Sequence, residues 1–438
     1  MTSPTGIADN PLSNGAIDRR IQQHRTAEIA LSVADPTGKP AANTSVTIEM
    51  VRHKFLSGCN AFGLGGDVFG PDEGGTKILN ELYAERFRAL LNYATLPFYW
   101  GFYEAQQGTT NESRVRRMAQ WCHDNHISTK GHPLCWHEGE PLWLVSKSLS
   151  EVESLQMARI RRKCAAFVGL VGKWDVVNEA VVMPESQGGK PATSRLCKSL
   201  GQVGLLKKCF AEAEKTNPKA QLLLNDFVTD HRYERLLREC LDARVEIEVI
   251  GLQSHMHTGY RGAEWAWEVC ERFAQFGKPL HFTELTILSG KLKTDNDWHA
   301  HHPGWDSTPD GEERQAAQVT ELYRVLFSHP AVEAVTWWDF SDYSAWQGAP
   351  AGLVRKDMSP KPAYDALMKF VKGEWWTGPL QLRTDAAGKV SFCGYVGTYT
   401  IKSDHGRADF DVTGPGKEAL TVRIAPTTPN RTDSGDGT

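Results

Sequence analysis

Apolar positions follow two different rhythms along this chain. From Glu28 they alternate: Ile29, Leu31 and Val33 share one face, Asp35-Pro-Thr-Gly38 supplies turn chemistry, and Val46, Ile48 and Met50 resume the alternation. This predicts a β-hairpin. The texture returns only near the other end, with Leu380 and Leu382, the turn Thr384–Gly388, then Val390 and Phe392, Tyr399 and Ile401, Phe410 and Val412, and Leu420, Val422 and Ile424. Neither group has enough strands to close a sandwich by itself. Residues 21–55 and 376–425 are therefore predicted to meet as one small β-sandwich. Residues 1–20 and 426–438, polar and without apolar period, read as tails.

The middle, residues 56–375, has the second rhythm: short apolar runs separated by helical patterns. The runs are Phe55–Phe62, Leu90–Phe98, Ile127–His132, Lys173–Glu179, Gln221–Asp226, Val245–Gln253, Pro279–Glu284 and Glu333–Trp338. Between them, Val115, Met118, Ala119 and Cys122 mark one helix, and Tyr364, Leu367, Met368 and Val371 the last. Continuous apolar strands each followed by a helix indicate a parallel sheet covered on both sides. Eight such units predict an α/β fold, a (β/α)8 barrel.

Barrel chemistry collects at the C-terminal ends of the strands, and the polar residues obey that rule. His132 ends the third run, Asn178-Glu179 the fourth, Asn225-Asp226 the fifth, Gln253 with His255 the sixth, Glu284 the seventh and Trp338 the eighth. Strands four and seven face each other across the mouth, so Glu179 and Glu284 flank whatever binds there. Breaking a glycosidic bond needs such a pair, one acid to protonate the leaving oxygen and one carboxylate to attack or activate water. Apolar neighbours such as Trp174, Val176 and Val177 are expected to raise the pKa of Glu179.

Composition narrows the field. Hydrophobic residues make up 40% and charged residues 23% of the 438, an ordinary globular mixture. The net charge of −4 gives no footprint for nucleic acid, and no run approaches the ~20 apolar residues of a membrane helix. Nine dispersed Cys without a CxxC pair argue against a disulfide framework or a zinc ribbon. They fit a reducing cytoplasm, while Met1–Asn14 lacks a secretory pattern; export would require a leader already removed. Fourteen Trp are an excess that suits flat faces for a flat ligand.

Gly131-His-Pro-Leu-Cys-Trp-His137, Trp174-Asp-Val-Val-Asn-Glu179-Ala, Gly251-Leu-Gln-Ser-His255, Thr283-Glu284-Leu, Trp338 with Ser341-Asp342 and Trp346, and Pro360-Lys-Pro-Ala-Tyr364 occur in that order. Together they resemble glycoside hydrolase family 10, the retaining endo-β-1,4-xylanase family. The resemblance implies Glu179 as acid/base and Glu284 as nucleophile, about 5–5.5 Å apart for retention. It implies that Asn178 holds the 2-hydroxyl of the cleaved sugar. His132, Trp136, Gln253 and His255 would line the central subsite, with Trp338 and Trp346 as stacking surfaces. Carbohydrate, from plant- or algal-type polysaccharides or oligosaccharides, is the expected partner, with no cofactor, metal, nucleic acid or membrane; oligomeric state, sugar and linkage are left open.

Two departures stand out. Where the family grips the distal sugar with Glu-Asn-x-x-Lys-Trp, this chain reads Thr95-Leu-Pro-Phe-Tyr99-Trp100. Leu, Phe and Tyr99 are expected to discriminate by shape and stacking instead of by hydrogen bonds. Two residues beyond Glu284, the usual Asp is Thr286, which cannot supply a charge beside His255. The long segment Asp295–Trp305 is polar and aromatic enough for a ligand wall. Rival readings are a metal-dependent hydrolase using His255, His257, His299, His301 and His302, which lacks a bridging carboxylate or Lys, and a binding protein on an inactive scaffold. Gly63–Gly70 breaks the dinucleotide pattern at Val68 and reads as a rim loop. The terminal strands carry no exposed aromatic row, which gives the sandwich a structural role.

Overall fold

The computed structural model describes residues 10–64 and 74–426, and the chain divides into two units. The described residues of one are 10–55 and 370–426; those of the other are 56–64 and 74–369. Most of the glycine-rich stretch expected as a rim loop, and the tail from Thr427, lie outside the described residues.

In the first unit, helix α1 (Asn14–Arg25) precedes strands β1 (Thr26–Ala34) and β2 (Ser45–His53). The helix corrects the expectation of a tail through residue 20. Ser13 caps it by accepting the Ala16 N–H, and Ala16, Ile17 and Ile21 bury one narrow stripe. That stripe is three residues wide among Arg, Gln and Asp, too thin to register as a helical period.

The hairpin expectation is also corrected. β1 and β2 do not pair; they lie in different sheets. β1 runs antiparallel to β12 (Lys389–Tyr395) and parallel to β15 (Gly416–Arg423), whereas β2 pairs antiparallel with β11 (Leu380–Arg383) and β13 (Gly397–Ser403), and β13 with β14 (Gly406–Val412). Residues 35–44 carry the chain from one sheet to the other. The inward residues of both sheets, among them Ile29, Leu31, Ile48, Tyr399, Ile401 and Val422, form one shared core. Alternation announces an inward face but not the strand it pairs with.

The second unit is a closed barrel of eight parallel strands: β3 (Leu56–Asn60), β4 (Tyr93–Pro97), β5 (Ser128–His132), β6 (Lys173–Asn178), β7 (Gln221–Asp226), β8 (Val249–Met256), β9 (Leu280–Ile287) and β10 (Val332–Trp337), with β10 closing on β3. β9 is buried at every position, as a strand covered on both faces must be. The helix Glu112–Asp124 turns Val115, Met118, Ala119 and Cys122 inward, and Ser148 with Glu151 forms a capping box for the helix Leu149–Ala166. Eight of the nine cysteines are buried; Cys393, on β12, is exposed.

Candidate active site

The polar residues predicted at strand ends do gather at the barrel mouth, with one adjustment. β8 continues to Met256 and β9 to Ile287, so Gln253 and Glu284 sit inside their strands. The β8–β9 register shifts between Leu252 and Gln253, which sets Gln253 opposite Glu284.

Three amides tie the two sides together. Asn178 Nδ2 donates to Glu179 Oε1 at 3.0 Å, and Gln253 Nε2 donates to the same oxygen at 3.0 Å. Asn225 Nδ2 donates to Asn178 Oδ1 at 2.7 Å and to Glu284 Oε1 at 2.8 Å, while its own Oδ1 accepts from Thr283 at 2.5 Å. Asn225 is thus the keystone, and it was foreseen only as a strand-end polar residue. Gly251 on the next strand makes room for it: a Cβ there would meet Asn225 Oδ1 at 2.5 Å.

Glu179 has a left-handed backbone, φ 57°, which swings its side chain off the strand direction. Its other oxygen accepts from Trp136 Nε1 at 2.9 Å. Burial pushes the Glu179 carboxyl up to about 8, against the hydrogen bonds from Gln253 and Trp136, and Glu284 adds to the rise. The shift has the expected direction and the expected cause, burial. Trp174 lies behind β5 with its ring 4.8 Å from Phe98, so that a Cβ on Gly131 would strike it at 2.1 Å. His137, 3.9 Å from Glu179, supplies no counter-charge, because burial depresses its pKa to about 4.

Glu284 is buried; Asn225 donates to it, and His255 Nε2 stands 3.1 Å from its Oε2. His255 Nδ1 lies 3.0 Å from Thr286 Oγ1. Beneath them is a fully buried ionic layer that sequence reasoning passed over. Asp175 Oδ2 lies 2.7 Å from both Lys130 Nζ and His132 Nδ1. Burial pushes the Asp175 carboxyl up, but Lys130 and His132 together hold it below its ordinary value. The imidazole of His132 is thereby aimed so that Nε2 stands 3.9 Å from Glu284 Oε1. The signal was present as the Asp of Trp174-Asp175-Val-Val, a charged residue inside an otherwise apolar strand.

Indoles and phenols wall the mouth. Trp338 stands edge-on to His132 and His255, with ring centroids 5.4 and 5.8 Å apart, and Trp346 lies 4.8 Å from His255. Tyr99 lies 5.4 Å from His132 and 5.7 Å from Trp136, and burial together with Glu284 and Glu179 raises its phenol pKa. Of the substituted positions, Tyr99 makes the ring contacts in the site, whereas Thr95 and Leu96 are fully buried; neighbouring Phe98 packs on Phe167 and Trp174. Trp100 also turns away, its indole donating to Glu104. Among the described residues no three His, Cys, Asp or Glu side chains converge as metal ligands. His257 is buried edge-on against Trp298 and Trp346.

Sugar-bond chemistry is what this mouth is equipped for, with a proton retained at neutral pH on one side and a second carboxyl group on the other. The class is that of the barrel glycoside hydrolases. Within it, the chain belongs to glycosyl hydrolase family 10, whose sequence profile matches residues 82–370. It is 24% identical over 422 residues to the anti-sigma-I factor RsgI6 of Acetivibrio thermocellus, covering 93% of this chain and 48% of that protein. It is 28% identical over 282 residues to endo-1,4-beta-xylanase A of Caldicellulosiruptor sp., covering 60% of this chain and 40% of that one. The chain therefore spans half or less of the length of these two relatives. The crystal structure of native xylanase 10B from Thermotoga maritima superposes with a TM-score of 0.59 at 23% identity, over 73% of this chain and 96% of that one, a likeness of fold.

Proposed function

We propose that this protein is a retaining β-glycosidase, xylanase-like in chemistry and altered in how it holds the distal sugar. The observation that carries it is the Glu179–Asn178–Asn225–Glu284 bridge, which supports one carboxyl that keeps its proton near neutrality and a second on the facing strand. Glu284 attacks the anomeric carbon; the C–O bond breaks, its electron pair goes to the leaving oxygen, and that oxygen takes the proton of Glu179. Water then gives a proton to the Glu179 carboxylate and its oxygen to the anomeric carbon, releasing Glu284. Asn178 and Gln253, already hydrogen-bonded at Glu179, are the donors for the sugar 2-hydroxyl, with His132 and His255 beside it. Trp338 and Trp346 offer the sugar a flat face.

A panel of β-linked glycans and aryl β-glycosides, with Glu179→Gln and Glu284→Gln as controls, tests this reading. Turnover that both variants abolish supports it. Rapid hydrolysis of plain linear xylo-oligosaccharides, as by an ordinary xylanase, would sink the altered distal site. A second reading is a carbohydrate-binding protein on the same scaffold, without turnover. It is favoured by the relative named as an anti-sigma-I factor, which matches 93% of this chain. Binding of a glycan without product, unchanged in Glu284→Gln, would select it.

A further inference from the structure

The segment from Leu288 to Trp305, between β9 and the helix Pro309–Ser328, is fastened in place on several sides. Gln347 Nε2 donates to the Trp298 carbonyl at 2.9 Å, and the His302 N–H donates to the Gln347 carbonyl at 2.8 Å. Gly348, at φ 72°, lies so close that a Cβ there would meet His301 Cε1 at 2.9 Å. Inside the segment, the buried Lys293 ammonium donates to Asp295 at 2.6 Å, and the Trp305 indole donates to the Lys291 carbonyl at 2.8 Å. So anchored, the segment crosses part of the mouth. Trp298 stacks on Trp346 with centroids 6.0 Å apart, and His299 Nε2 stands 3.8 Å from Glu138 Oε1 in the loop after β5.

These contacts complete a circuit. Tyr99 touches Trp136 on one side and Phe62, at 5.9 Å, on the other. Phe62 meets Trp338 at 5.7 Å, which leads through His255 to Trp346 and Trp298. His299 and Glu138 then return it to the β5 loop that carries Trp136. Among the described residues the ring contacts of this circuit do not extend to those following β6 and β7, although the Trp136 indole donates to Glu179 and Glu140 accepts from the Ala192 and Thr193 N–H groups. Glu179, which follows β6, borders the side of the mouth that these ring contacts leave uncovered.

From this we infer, resting on the glycosidase reading above, that the protein is exo-acting: it removes one sugar at a time from the non-reducing end. The leaving group must depart beside the acid that protonates it, so the uncovered side is the leaving-group side. The enclosed side holds the sugar whose bond is broken. A chain that had further sugars beyond that one would have to pass through Tyr99, Trp136 or the Trp298–His299 crossing. Trp298 and His299 are the specificity-determining residues, together with Tyr99.

The test uses 4-nitrophenyl β-xyloside, β-glucoside and β-galactoside, the corresponding β-1,4-linked disaccharide nitrophenyl glycosides, and oligosaccharides labelled at the reducing end. An exo enzyme shortens the labelled chain one unit at a time. It also releases nitrophenol from the monosaccharide glycoside at least about tenfold faster than from the disaccharide one. Trp298→Ala and His299→Ala, both at solvent-accessible positions, are expected to narrow that ratio by about tenfold. Labelled fragments several sugars shorter appearing at once, or equal release from both glycosides, would overturn the inference while leaving the glycosidase intact. No hydrolysis of any probe, with Glu284→Gln indistinguishable from the parent, would overturn the glycosidase reading and this inference with it.

Discussion

The floor of the mouth and its wall are built on opposite principles. The floor is a lattice of directed hydrogen bonds in which Asn225, Asn178 and Gln253 fix carboxylate oxygens at 2.8–3.0 Å. The wall is made of rings at 4.8–6.0 Å, with few directed bonds between them. A lattice of amides leaves little freedom in where the reacting atoms sit, because a broken bond in a buried site leaves a partner unsatisfied. Rings tolerate small displacements and select by shape and length. Chemistry and substrate choice are thus separable here, and substitutions should divide along the same line.

The largest effect belongs to the floor. Glu284→Gln, at the proposed nucleophile, should lower turnover by at least about 10⁴-fold, read as nitrophenol release. Glu179→Gln should cost about 10²–10⁴-fold on glycosides with poor leaving groups and less on nitrophenyl ones, which need little protonation. The pH profile sharpens this. With Glu179 at about 8, its proton is present at pH 7 and lost above pH 8, so kcat/KM should fall there with the slope of one ionisation. Glu179→Gln should remove that limb. The stability sign follows: the folded pKa of about 8 exceeds the ordinary 4.5, so retaining the proton stabilises the fold at low pH. That advantage is lost as pH rises from 4.5 to 8. The melting temperature of Glu179→Gln should therefore gain on the parent across that window.

Next comes Asn225→Ala, which strands Glu284, Asn178 and Thr283 at once. It should cost roughly 2–4 kcal/mol of stability by denaturant titration, together with a large loss of kcat. Tyr99→Lys crosses the boundary between the regions. A cation there would face both carboxylates, and the alkaline limb should move from about 8 toward neutrality. No movement would mean that Tyr99 lies farther from the floor than its rings indicate. The smallest effect is Thr286→Val, which removes only the partner of His255 Nδ1. A drop in kcat of no more than about tenfold is expected.

Floor and wall also differed in how far they could be read from sequence. Asn178, Glu179, Gln253, His255 and Glu284 declared themselves as polar residues in or after apolar strands, because strand direction in a barrel fixes which end carries chemistry. The wall was harder to read. Phe98, Trp100 and Trp174 stand beside motif residues yet pack away from the site, Phe98 and Trp174 against each other and Trp100, at the head of the short helix Trp100–Tyr103, against Glu104. Asp295–Trp305 was suspected as a wall, but Glu138, the partner of His299, carries no periodic signal. The hairpin error in the first unit has the same root: local pattern states which face is buried, while partners are chosen by the whole chain.

The cysteines offer a record of motion. Burial raises the thiol pKa of Cys122, Cys164, Cys197 and Cys240 to about 12, so they are both shielded and unreactive while packed. A thiol reagent added to the folded protein should therefore mark Cys393 first, on β12 of the first unit. Each later modification would time the opening of a different barrel segment, and the order of labelling would chart which part of the barrel loosens before the rest.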